Sequence, residues 1–117
     1  MDVRRFFATE SQRKSVLSAV GEFMKQRKSE IENELQFKGE NATEEEKEST
    51  KKLVQLLSKQ VTEDSQWKDF GFDGLDEVEC VLTIEDALSI RLPDDEFHAI
   101  HGVQDALKVI TKHTSKD

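Results

Sequence analysis

The segment Phe70-Gly71-Phe72-Asp73-Gly74-Leu75-Asp76-Glu77-Val78-Glu79-Cys80-Val81-Leu82-Thr83-Ile84-Glu85-Asp86-Ala87-Leu88 decides how the chain is read. Its apolar spacing predicts a helix from about Leu75 to Leu88. Cys80, Val81, Ile84 and Leu88 form one apolar stripe of that helix. Leu75, Val78 and Leu82 form a second, on average more than about 90° from the first. Glu79 and Asp86 flank the second stripe. A surface helix of a small domain needs one buried stripe. A second one edged by carboxylates supplies apolar area for affinity and negative charge for orientation against a basic partner. A central helix buried on both sides is the other reading.

Upstream, Val16, Val20, Phe23 and Ile31 recur at helical intervals with Leu17, Met24 and Leu35 beside them, so a helix runs from Ser11 to about Phe37. Gly39–Asn41 breaks it. Thr43 then stands three residues before Glu46, a capping-box spacing, and Glu44 and Glu45 suit a helix N-terminus. Leu53, Leu56, Leu57 and Val61 continue that helix on one face, making residues 11–60 a helical hairpin. Thr62–Gly74 is a long connection whose Trp67, Phe70 and Phe72 pin it to the core. Downstream, Leu92-Pro93 ends a turn and Asp94 caps a short segment reaching Ala99 or Ile100. Gly102 interrupts, and Val103–Lys112 forms a last helix with Val103, Ala106, Leu107 and Ile110 inward. The stretch 113–117 reads as a frayed tail. The first ten residues, with Arg4 and Arg5 before Phe6 and Phe7, read as a basic disordered terminus or a presequence remnant. The expectation is an all-α chain with a single domain over 11–112.

Composition agrees. The chain has 117 residues, 35% hydrophobic and 36% charged, with one proline and five glycines. This suits one small helical core. It carries 25 acidic and 17 basic side chains, a formal net charge of −8. Such a net anion is a poor binder of nucleic acid, which needs clustered Lys and Arg. No apolar run is long enough to insert in a membrane as a helix. A single cysteine, Cys80, excludes an internal disulfide, a zinc ribbon and a CxxC redox motif. The charge is uneven: residues 1–60 hold 12 basic and 11 acidic side chains, whereas 61–117 hold 5 and 14. Twelve of those acids lie between Glu63 and Glu96. Asymmetry of this size implies two surfaces with different roles, or a solubilising face.

Catalytic and metal chemistry find little support. Asp69, Asp73 and Gly74 fall at positions 1, 5 and 6 of a calcium loop. Gly71 stands where a ligand is needed, however, and Cys80 where a bidentate Glu is required, with Glu79 out of register. His98 and His101 near Glu96 lack a third fixed ligand for a metal. Cys80 sits on the inward stripe with no cation beside it in sequence, so it reads as a structural thiol. No GxSxG, P-loop or Gly-rich phosphate cradle is present, and an enzyme is not expected.

The stretch Phe70–Glu79, then Leu92-Pro93-Asp94-Asp95, then Val103-Gln104-Asp105-Ala106, resembles the acyl carrier proteins of the mitochondrial and bacterial type. That family has a four-helix fold. Its hallmark is Asp-Ser-Leu-Asp followed by Val-Glu at the start of its second helix, then an Ile-Pro-Asp-Asp/Glu turn and a Val-x-Asp/Glu-Ala/Leu opening of the last helix. The match runs without gaps from Asp69 to about Pro93 and extends loosely to Ile110. The resemblance implies a four-helix bundle with residues 11–27 as the first helix. Residues 28–60 then form an inserted or extended helical hairpin.

One departure stands out. The family's serine carries phosphopantetheine, and Gly74 occupies its place. Glycine has no hydroxyl for the phosphodiester, so the resemblance implies a member with no prosthetic cofactor. Asp73 can still cap the helix. The family's mitochondrial members also bind small basic helical proteins of the Leu-Tyr-Arg (LYR) type. Through them they enter respiratory complex I, iron–sulfur assembly machinery and mitochondrial ribosome assemblies. By resemblance, Leu75, Val78, Glu79, Leu82 and Asp86 are partner-facing, with Asp73 and Asp76 beside them. The implied role is a non-catalytic interaction subunit in the mitochondrial matrix, with no direct contact to nucleic acid and no metal. The alternative is a divergent working carrier of mitochondrial fatty acid synthesis, which needs another modified serine.

Overall fold

A computed structural model describes residues 9–114. Five helices follow one another: α1 (Glu10–Lys38), α2 (Glu44–Leu57), α3 (Gly74–Leu88), α4 (Asp94–Phe97) and α5 (Val103–Thr114). Short 3-10 turns lie at Gly39–Asn41 and Trp67–Phe70. The fold is an all-α bundle with no strand among the described residues.

Local chemistry sets the helix boundaries. α1 begins at a capping box: the Thr9 hydroxyl accepts from the Gln12 N–H at 3.0 Å, and the Gln12 side chain accepts from the Thr9 N–H at 2.9 Å. The helix thus starts one residue before Ser11, with Thr9 as its cap; the basic stretch before Thr9, with its disordered or presequence reading, lies outside the described residues. α1 ends at Gly39, whose positive φ of 51° a side chain would resist. The Thr43–Glu46 capping box forms as expected, with bonds of 3.0 and 3.2 Å. Lys38 donates to Glu46 across the hairpin turn. α2 stops at Leu57, earlier than the run to Val61 predicts, where the Ser58 hydroxyl donates to the Val54 carbonyl at 2.7 Å.

The core sits between α1, α3 and α5. Val16, Val20 and Met24 of α1 meet Cys80, Val81 and Ile84 of α3 and Val103, Ala106 and Ile110 of α5. The aromatic connection closes it. Trp67 and Phe70 are buried, and the Phe72 ring lies 5.3 Å from Phe23, edge to face. The Trp67 indole donates to the Ile100 carbonyl at 3.2 Å. Backbone bonds from Trp67 N–H to the His101 carbonyl and from Val103 N–H to the Ser65 carbonyl tie this connection to the start of α5. The backbones come so close there that a Cβ on Gly102 would lie 2.8 Å from the Ser65 carbonyl oxygen.

Toward its turn the hairpin thins. Past Met24, α1 buries only Ile31, and α2 buries only Leu57. α4 differs from expectation: it spans four residues, and Asp94 does not cap it. Its first hydrogen bond runs from Phe97 N–H to the Pro93 carbonyl, so the helix opens at the proline. α5 continues to Thr114, past the expected fray point at 113, with His113 bonded to Glu96 of α4.

Candidate functional site: the exposed face of α3

α3 starts where Asp73 makes it start. The Asp73 carboxylate accepts from the Asp76 N–H at 2.8 Å, and the Asp76 carboxylate accepts from the Asp73 N–H at 3.1 Å. Gly74 is the first helical residue. Its φ is not positive, and a Cβ built there meets no atom within 4 Å. The position opens outward at the helix N-terminus, and what it lacks is a functional group.

The two stripes separate as the spacing predicts. Cys80, Val81 and Ile84 are buried, and Leu88 is partly buried. Leu75 is 65% exposed and Leu82 42%, the exposed large apolar side chains of α3. Val78 is half-buried, and Asp73, Glu79 and Asp86 are exposed. The reading in which both stripes are buried does not hold for the described chain. The structure thus brings Leu75, Glu79, Leu82 and Asp86 to one open face, with Val78 at its edge.

Asp76 departs from this set. It is 6% exposed, and its carboxylate lies 3.0 Å from Arg27 Nε of α1. A carboxylate held inside the molecule, capping its own helix and paired with α1, is not free to meet a partner. The same guanidinium reaches Glu30 at 3.4 Å. Arg27 escaped the sequence reading. Its signal was its position four residues after Phe23 and four before Ile31, on the buried stripe of α1.

The other candidates have structural partners. Glu85 is buried and accepts from the Leu92 N–H at 2.7 Å, which fastens the connection after α3. Asp69 accepts from the Gln66 N–H at 2.9 Å, so the carboxylates of the calcium-loop reading, Asp69 and Asp73, serve as caps. His101 contacts Glu77 at 3.3 Å, whereas His98 packs its ring against Phe97. Among the described residues no group of three His, Cys, Asp or Glu is placed to hold a metal ion. No helix among them is long and apolar enough to cross a membrane. Burial, and then the charge of nearby Asp76, push the Cys80 thiol up to about 12, so it stays protonated and unreactive.

Comparison with known proteins places this arrangement. No family model and no solved structure matches the chain. An acyl carrier protein of Sulfurovum sp. is 40% identical over 65 residues, which cover 55% of this chain and 87% of that protein. A protein of Schizosaccharomyces pombe provisionally named as a mitochondrial acyl carrier protein is 45% identical over 56 residues; these cover 47% of this chain and half of that protein's length. At that identity across nearly the whole of a bacterial carrier, the chain belongs to the acyl carrier protein family.

Proposed function

We propose that this member of the family carries no prosthetic arm. It acts instead as an interaction subunit, docking a basic helical partner of the LYR type through the exposed face of α3. Gly74 carries the reading. Phosphopantetheine needs a hydroxyl at the start of α3, and the residue there has no side chain. The group does not fit the nearest serines in sequence, Ser65 and Ser89, either. Ser65 is buried, with its hydroxyl accepting from the Thr62 N–H at 2.8 Å. Ser89 lies at the opposite end of α3, about 22 Å along the helix. A working carrier of fatty acid synthesis requires a modified serine at the helix start, and this chain offers none there.

A docking face remains: Leu75 and Leu82 in the open, with Glu79 and Asp86 beside them. Exposed leucines supply area, and unpaired carboxylates select a cationic partner. The mitochondrial name of one relative supports a mitochondrial assembly as the host, complex I or the mitochondrial ribosome being the proposed settings, in the matrix. The test is the double charge reversal Glu79→Lys with Asp86→Lys. Both positions are exposed, so the helical circular dichroism spectrum stays as in the parent. Recovery of the parent complex from its source falls by tenfold or more. Recovery equal to the parent's, in a folded variant, removes this face from the account.

A further inference from the structure

Resting on that docking reading, we infer that the partner's helix lies along the valley between α1 and α3, so that α1 supplies one wall of the interface. The two helices run antiparallel. Arg27 of α1 meets Asp76 at the start of α3, while Lys14 and Ser15 of α1 lie across from Asp86 and Ala87 at its end. Two depressions follow this line. One of about 320 Å³ lies between Phe23 and Gln26 of α1 and Glu79 and Leu82 of α3. The other, about 670 Å³, lies between Ser18 and Glu22 of α1 and Asp86 and Ala87 of α3. Thr83 lines both, so they join end to end.

Three features of the valley define its occupant. Apolar side chains lie along its middle, Ala19 and Phe23 from α1 and Leu82 from α3, between otherwise polar walls. Its rim carries Glu22, Glu79 and Asp86, none with an ion-pair partner among the described residues, whereas Arg27 is taken up by Asp76 and Glu30 and Lys14 by Glu10. Its length from Lys14 to Arg27 is about 20 Å, close to four helical turns. An amphipathic helix of about that length fits, with leucine-type side chains toward Ala19, Phe23 and Leu82 and Lys or Arg along both edges. The other flank of α3 is already covered. There Glu85 is buried against the Leu92 N–H, and Val78 is half-buried. Of the open face of α3, Glu79, Leu82 and Asp86 border the valley.

The test uses the full chain and a synthetic 18-residue amphipathic peptide with a leucine face flanked by lysines and arginines, titrated by fluorescence anisotropy. Glu22→Lys on α1 and Glu79→Lys on α3 each weaken binding about fivefold to tenfold, since a reversal both removes an attraction and adds a repulsion. Asp95→Lys on α4 changes it less than twofold. If Glu79→Lys weakens binding while Glu22→Lys does not, the helix docks on α3 without α1; the valley is then wrong and the docking reading stands. If neither reversal matters, or the peptide fails to bind the parent chain, both fail.

Discussion

Gly74 and Asp76 sit two residues apart and part company in three dimensions. Gly74 faces open space, so Gly74→Ser is tolerated without a clash and with a helix start still capped by Asp73. The variant is expected to keep the melting temperature of the parent within about 2 °C, as surface substitutions usually do. It is also expected to accept a label from a phosphopantetheinyl transferase and a fluorescent coenzyme A, which the parent does not. A labelled parent, or a folded variant that stays unlabelled, contradicts the placement of Gly74 at the lost attachment point. Asp76 faces inward to Arg27. Arg27→Ala leaves a buried carboxylate without its cation, and we expect a loss of about 1–3 kcal/mol in urea unfolding, moderated because Arg27 is partly solvated. Cys80 is held protonated by burial, so iodoacetamide at pH 8 labels it only after denaturation.

Among the elements, helix starts were the most legible in the sequence and helix ends the least. Thr43 with Glu46, and Asp73 before α3, announce themselves because a cap is a local bond across three residues. The exposed stripe of α3 was legible for the same reason: its period is a property of fifteen consecutive residues. Contacts between distant segments were not legible. The Arg27–Asp76 pair joins positions 49 apart in sequence, and the Trp67–Ile100 bond joins positions 33 apart. Neither distance leaves a periodic trace, so Asp76 read as outward-facing. Gly102 read only as an interruption, whereas its role is the close backbone approach to Ser65. Gly102→Ala therefore costs about 1–3 kcal/mol relative to the parent in urea unfolding. Past Met24 the α1–α2 hairpin buries only Ile31, Ala42 and Leu57, so amides of α2 are expected to exchange with deuterium faster than those of α3.

At the scale of the whole molecule, ion pairs fasten the outer elements to a core made by α1, α3 and α5. Glu96 is the clearest case. The hydrogen bond from Lys112, and then that from His113, hold its carboxyl below the usual glutamate range. A pKa lowered by folding contributes stability above the ordinary value of 4.5, and that stability is lost as pH falls through the folded value. Glu96→Gln is thus expected to destabilise the chain at pH 7, with the difference from the parent shrinking as pH drops below 4.5. A difference that does not change with pH would mean the contact is not ionic. The acidity is concentrated in the second half of the chain, which includes α3, whereas the first half is near neutral. The cationic helix proposed as partner is one that opposite charge would steer toward α3 and orient there.

The central claim is that a member of the acyl carrier family has kept the fold and a docking face while losing the arm. Native mass spectrometry of the protein isolated from its source tests it in one spectrum. The account predicts an unmodified chain bound to a basic helical protein. A chain heavier by one phosphopantetheine group would contradict it, because another residue would then be accepting the arm that Gly74 cannot.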